Sequence, residues 1–332
     1  MKRVMVLTVL ALFLASPALA VFRSTGEMCI TDEEAREAKK FYDQALASEK
    51  AGKTKEAYTA GMSVNSACIT DDESEWGILV GLFKRTSLKL GEGEEAGGRF
   101  SEAYEYYYRW HGIPADRVQM KMATADPGNF KAVQAGFNYF RSMKEGLEND
   151  TAAAGKPDRE ARLKAIAGYR TRLHEIAVTN GDKALAAEEK VFAARKKTLT
   201  AKDDSLDELE NAERWLGLIG QDKRAHDRAV ARGDALSAAD GRNSLELAIS
   251  YYDFARNEKK VQVVRGKARK LGDAHLQKGE KMIASEYYAI AGLEDRSTEL
   301  RESDEAEKAK AESERKDQFK KDQDSLEKEL GF

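Results

Sequence analysis

Few residues in this chain have the chemistry to act on a substrate. Its 332 residues include two cysteines and four histidines. Both cysteines open the same word, CITD, at Cys29–Asp32 and again at Cys68–Asp71. A thiol pair can form a disulfide, bind a metal or exchange electrons. There is no Cys-x-x-Cys, and no histidine lies beside either cysteine at metal-ligand spacing, so a structural disulfide is the better-supported use. The alternative is two buried free thiols. His111, His174, His226 and His275 are isolated from one another, and none lies in His-Glu-x-x-His. His174 and His275 occupy positions that favour packing between helices over ligation. The acidic words after each CITD's threonine lack the glycine and alternating oxygens of a calcium loop. No Gly-x-Ser-x-Gly, phosphate loop or dinucleotide fingerprint is present. The expectation is a protein without catalytic, cofactor-binding or metal-binding residues, and not an enzyme.

The other concentration of chemistry is aromatic. Tyr104, Tyr106, Tyr107, Tyr108 and Trp110 fall within one short stretch, followed by Phe137, Tyr139 and Phe140, then Tyr251/Tyr252 and Tyr287/Tyr288. At helical spacing Ala103, Tyr107 and Trp110 share a buried stripe. Tyr104 and Tyr108 share an adjoining face, and Tyr106 points elsewhere. Exposed tyrosine combines large contact area with a polar tip, which suits a peptide or glycan groove. Tyr104, Tyr106 and Tyr108 are therefore the candidate partner surface. The competing explanation is packing between helices, with each Tyr-Tyr doublet placing one ring in and one out.

Helices must position these groups. Each CITD continues as a capping box, Thr31-Asp-Glu-Glu34 and Thr70-Asp-Asp-Glu73, in which threonine and glutamate satisfy each other's backbone donors at a helix start. The turn Ala51-Gly52-Lys53 divides the segment between the two words into two helices. Beyond it a step recurs in which an alanine follows a glycine by five positions: Gly52/Ala57, Gly98/Ala103, Gly181/Ala186, Gly220/Ala225 and Gly279/Ala284. Glycine ends one helix, and alanine lets the next approach closely. Two copies extend to Ala248, Tyr252, Ala255 and to Ala284, Tyr288, Ala291. Cysteines preceding two parallel helix starts lie near each other if the segments before them bend inward, which predicts a Cys29–Cys68 bond.

These units resemble tetratricopeptide repeats. The best copy is Leu271-Gly272-x-x-His275 followed by Ala284, Tyr288 and Ala291, with histidine in an aromatic position and without the closing proline. The copies at Leu216-Gly217 with Ala225 and around Ala248 overlap in phase. The resemblance implies an all-α fold, an array of antiparallel helical hairpins forming a tetratricopeptide-like solenoid with a charged C-terminal helix. It further implies a surface that binds a peptide segment or protein partner. A generic α-helical array is the alternative.

The N-terminus reads as a secretory signal over residues 1–20: Lys2 and Arg3, an apolar run from Val4 to Ala15, and the cleavage site Ala18-Leu19-Ala20. The run is short for a bilayer span. Export, here expected to a bacterial periplasm, also makes a disulfide permissible. The expected organisation is helical repeats over 21–147, a linker over 148–158, further repeats over 159–296 and a charged tail over 297–332. Residues 115–160 carry no assigned hairpin. In the tail, acid-first pairs four apart, Asp304/Lys308, Glu312/Lys316, Asp317/Lys321 and Asp324/Lys328, predict a solvated helix on which only Phe319, Leu326, Leu330 and Phe332 could dock. With 34% charged residues, 4 prolines and a net charge of −3, the composition favours amphipathic helices and shows no basic block for nucleic acid or anionic membrane. The functional expectation is a non-enzymatic periplasmic scaffold for an envelope assembly. The alternatives are a peptidoglycan- or glycan-binding module using the tyrosines, and a helical accessory domain of a cell-wall enzyme system.

Overall fold

The computed structural model describes residues 29–69, 74–198 and 206–330. The signal segment 1–20, the second capping box at Thr70–Glu73, the side chains of Lys328 and Leu330, and Phe332 lie outside the described residues. Among those described, the chain forms thirteen α-helices and no β-strand. They are α1 (Asp32–Lys50), α2 (Thr54–Met62), α3 (Glu75–Ala96), α4 (Phe100–Tyr107), α5 (Gly112–Thr124), α6 (Phe130–Asn149) and α7 (Pro157–Thr198). After them come α8 (Asp207–Gly217), α9 (Lys223–Ser237), α10 (Arg242–Phe254), α11 (Glu258–Gln277), α12 (Lys281–Ile290) and α13 (Glu294–Leu330). From α1 to α6, and again from α8 to α13, helices consecutive in sequence pack against each other as antiparallel hairpins. The chain divides into two compact units at Leu173/His174, within α7.

The first unit starts at the capping box. Thr31 Oγ1 accepts from the Glu34 backbone N–H at 3.2 Å, and the Glu34 carboxylate accepts from the Thr31 backbone N–H at 3.1 Å. Just before it, Cys29 meets Cys68 at disulfide distance, with Sγ–Sγ 2.01 Å and Cα–Cα 5.1 Å. The second thiol reaches inward because Asn65 caps a short 3₁₀ turn, Ser66–Cys68. Both cysteines are fully buried with Ala35, Ala38, Tyr42, Leu79 and Leu82 in one apolar cluster. The stretch left unassigned in the sequence holds α5 and α6. Its turn cluster at Ala125–Asn129 ends with Asn129 capping α6 through a 3.2 Å bond from the Ala132 N–H. Residues 148–158, expected as a linker between two repeat regions, take in the end of α6, a 3₁₀ turn at Thr151–Ala153 and the start of α7, and they lie inside the first unit.

Six connections share one turn. At Gly52, Gly98, Gly220, Gly279 and Gly292 the backbone takes a left-handed φ of 70° to 79°, and at Arg256 it takes 55°. In the α11/α12 turn, Glu280 N–H donates to the His275 carbonyl and Gly279 N–H to that of Leu276. These bonds close the helix end in the Schellman pattern. Five residues after the left-handed position comes a fully buried small residue: Ala57, Ala103, Ala225 and Ala284. Two further copies use other residues, Arg256 with Val261 and Gly292 with Ser297. Glycine adopts this φ freely; arginine there costs about 1–2 kcal/mol.

One copy of the expected step is corrected. Gly181 is not a turn: it lies inside the 42-residue α7, and Ala186 is exposed. Gly181 instead makes room for Leu216, whose side chain lies 2.6 Å from where a Cβ would be. The overlapping units at Ala225 and Ala248 are both real burial sites, because α9 packs against α8 on one side and α10 on the other.

A second device ties hairpins together. Tyr107 of α4, Tyr252 of α10 and Tyr288 of α12 each lay their ring on a glycine of the preceding helix, Gly91, Gly233 and Gly272 respectively. A Cβ at Gly233 would meet the ring at 2.5 Å, so no larger residue fits without a shift. Each hydroxyl then donates to a carboxylate on the glycine's own helix: Tyr107 to Glu95 at 3.2 Å, Tyr252 to Asp234 at 2.6 Å and Tyr288 to Asp273 at 2.6 Å. Burial and the adjacent carboxylate push Tyr107 and Tyr252 up to about 12.

The last helix splits by environment. Its first turns pack on α12 with Ser297 buried, and Lys281 reaches Ser303 and Glu307. From Glu305 to Leu326 every residue is exposed. The Asp304–Lys308 and Glu312–Lys316 pairs form at 2.6 Å and 2.7 Å, with Phe319 and Leu326 facing solvent.

Candidate partner-binding surface

The short helix α4, FSEAYEYY, sets the geometry of the tyrosine cluster. Ala103 and Tyr107, one turn apart, are fully buried against α3. That stripe fixes the rotation of the helix and therefore the direction of every other ring. Tyr104 and Tyr108 lie one turn apart on the next flank, stacked with centroids 5.9 Å apart, and Tyr104 also meets Tyr139 edge-on at 6.1 Å. Tyr106 leaves on the opposite flank and meets Tyr58 of α2 edge-on at 5.4 Å. Tyr58 in turn packs edge-on against Phe83 at 5.9 Å. Trp110, beyond the end of α4, is half-buried and stacks on Phe83 at 5.6 Å.

The three candidate tyrosines therefore do not form one face. Tyr106 and Tyr108 line a common open recess of about 350 Å³ together with Tyr58, Met62, Glu102, Glu105 and Arg109. Tyr104 is turned toward α6 and takes no part. Tyr108 is 44% exposed, with the Arg109 guanidinium 5.3 Å from its ring centroid and Arg109 Nε donating to its hydroxyl. Tyr58 is half-buried and its phenol is pushed up, chiefly by burial. Sequence reasoning missed Tyr58, Met62 and Arg109. A signal existed for Tyr58, which follows Ala57 as Tyr104 follows Ala103.

No protein-family model, curated protein or solved structure matches the chain.

The other tyrosines are committed to packing. Both members of each doublet are buried, Tyr251 at 1% and Tyr252 at 2% exposure, Tyr287 at 8% and Tyr288 at 0%. This corrects the one-in, one-out expectation. Tyr252 and Tyr288 meet the preceding helix's glycines, and Tyr251 and Tyr287 turn toward other neighbours. Tyr251 meets Phe192 at 5.9 Å, and Tyr287 stacks on His275 at 5.3 Å while donating to the Asp240 carbonyl at 2.9 Å. Helices packed on two sides leave no outward face for the second ring.

A larger hollow of about 730 Å³ in the first unit is lined by Trp110, Ile113, Pro114, Leu147, Lys156 and Arg162, among others. Behind it lies a buried ion pair. Asp116 of α5 accepts from Arg162 of α7 through both oxygens at 2.6 Å and 2.9 Å, and from the Tyr139 hydroxyl at 2.9 Å. The Asp116 carboxylate beside them raises the Arg162 guanidinium, and burial with the same carboxylate raises the Tyr139 phenol. The groups satisfy one another. Arg159 is likewise occupied, donating to the carbonyls of Leu147 and Glu148.

The histidines are dispersed. His111 Nε2 lies 3.0 Å from Ser87 Oγ, which itself donates to the Phe83 carbonyl, and burial pushes the imidazole down. His226 pairs with Glu213 and meets Phe254 edge-on. His275 packs as expected. His174 does not: it is exposed on α7, because Leu173 and Ala177 take the buried face. Among the described residues no group of three or more His, Cys, Asp or Glu is placed to hold a metal. None of the described helices is long and apolar enough to cross a membrane.

Proposed function

We propose that this protein is a non-enzymatic interaction scaffold of the periplasm, exported by the signal at residues 1–20, with a tetratricopeptide-like array that holds a peptide segment or protein partner of an envelope assembly. The observation that carries the reading is how the tyrosines divide. Tyr107, Tyr252 and Tyr288 have rings against glycine and hydroxyls on carboxylates, whereas Tyr106 and Tyr108 line an open recess between α2 and α4. Large rings at a solvent-facing recess supply contact area at little rotamer cost. The buried cysteine pair at disulfide distance supports an oxidising compartment. The Gly272–Tyr288 contact supports the tetratricopeptide likeness, since it pairs the small residue of one helix with the aromatic of the next.

The test is capture from the native envelope. Wild type and Tyr108→Ala are compared in crosslinking and mass spectrometry, after each variant's melting temperature has been measured. The expected result is an unchanged melting temperature with capture weakened by about 1–2 kcal/mol, as for an aromatic hot spot. Capture that follows only the folded fraction across variants would overturn the reading. Retention on purified peptidoglycan sacculi without a protein partner would favour the glycan-binding alternative.

A further inference from the structure

We infer that the Tyr58–Tyr106–Tyr108 recess takes a cationic side chain, lysine or arginine, from an extended segment of the partner, an inference that rests on the scaffold reading above. Three electron-rich rings and two carboxylates, Glu102 and Glu105, line the same opening. Glu105 interacts electrostatically with Arg109, and Glu102 with Arg99. The faces of tyrosine rings attract cations, and cages of such rings recognise ammonium groups in general. One cation is already there: the Arg109 guanidinium lies over the Tyr108 ring while its Nε donates to the Tyr108 hydroxyl. Of the charged residues that line the opening, Glu102 and Glu105 are carboxylates and Arg109 is the cation, so the lining itself is net negative. Met62, 48% exposed, supplies an adaptable apolar wall for the methylene stem of a lysine or arginine. An acidic segment would meet Glu102 and Glu105. A neutral one would leave both carboxylates partly desolvated without compensation.

Arg109 is thus a resident competitor, and a partner cation must displace it or stack beside it. The test titrates the mature chain with three blocked pentapeptides, Ala-Ala-X-Ala-Ala, where X is lysine, arginine or norleucine. Binding is read from the backbone amide NMR shifts of Met62, Tyr106 and Tyr108. The lysine and arginine peptides are expected to bind, and the norleucine peptide about two- to five-fold more weakly or not at all, the size of an exposed cation–π contact. Glu102→Gln with Glu105→Gln weakens the charged peptides by a similar factor and leaves norleucine unchanged, whereas Arg109→Ala tightens them. Equal binding of norleucine, no shift with any peptide, or weaker binding in Arg109→Ala overturns the inference. A photo-crosslinker replacing Tyr108 in cells separates this inference from the reading beneath it. A partner crosslinked through a segment without lysine or arginine overturns the cation and leaves the scaffold. No crosslinked partner overturns both.

Discussion

The two units anchor the long helix α7 with the same chemistry run in opposite directions. In the first, α7 contributes Arg162 and the array contributes the buried Asp116; in the second, α7 contributes the buried Glu188 and the array contributes Arg232. Asp116 is gripped by a planar fork at 2.6 Å and 2.9 Å and by a phenol. Glu188 is held more loosely, by Arg232 at 3.1–3.3 Å with Arg228 at 4.0 Å. Arg232 also serves Glu189 and stacks 4.2 Å over Phe192. Burying a carboxylate is costly in either unit, but the reserve differs. Among the described residues Asp116 pairs with one cation, and Glu188 has two within 4.0 Å.

The largest effect should therefore fall in the first unit. Arg162→Met strands a fully buried carboxylate and is expected to cost about 3–5 kcal/mol, whereas Arg232→Met leaves Arg228 to turn inward and costs visibly less. Urea denaturation of the two variants checks the asymmetry, and equal losses would show that the second arginine is no reserve. The cysteine pair also belongs only to the first unit. Cys29→Ser and Cys68→Ser should each cost roughly 4 kcal/mol, with the double variant no worse than either single, because one link is lost in every case. Additive losses or free-thiol labelling of the native protein would break that expectation.

The tyrosine–glycine device occurs in both units and should behave alike in them. Tyr107→Ala and Tyr288→Ala are each expected to lower stability by about 2–4 kcal/mol. The same device predicts an alkaline limit. Tyr107 and Tyr252 have folded pKa values of about 12, above the unfolded value near 10. Between those values the folded state holds protons that the unfolded chain has released. Their contribution is full below about pH 10 and is lost as pH rises through about 12. Denaturation midpoints over that range, with Tyr107→Phe and Tyr252→Phe as controls, read it directly. The smallest effect is a gain: Arg256→Gly relieves the left-handed strain of the α10/α11 turn and should stabilise by about 0.5–1 kcal/mol, less whatever the Arg256–Glu213 contact contributes.

Much of the fold was legible because its devices are local. The capping box at Thr31 and Glu34, the cysteine pairing and the turns at Gly52, Gly98, Gly220 and Gly279 each depend on residues close in sequence or on a repeated word. The copies at Arg256 and Gly292 were invisible because arginine stands for glycine in one, and serine for alanine in the other. Gly181 misled because a glycine that opens space for Leu216 looks in sequence like a glycine that ends a helix. The candidate surface was half legible. Periodicity separated Tyr107 from its neighbours, but only the packing of α2 against the next hairpin reveals that Tyr58 joins Tyr106 and Tyr108. Asp116, Arg162 and Tyr139 come from three helices, and nothing in the charge pattern of so charged a chain distinguishes them.

The exposed length of α13 is, mechanically, a strut. Residues 305–326 at about 1.5 Å per residue reach some 33 Å from the last packed turn, whereas a flexible chain of that length would average about 26 Å between its ends and fold back often. A group carried at the far end is therefore held off the second unit's surface, and its effective concentration there is low. Its encounters are weighted toward objects a few nanometres away.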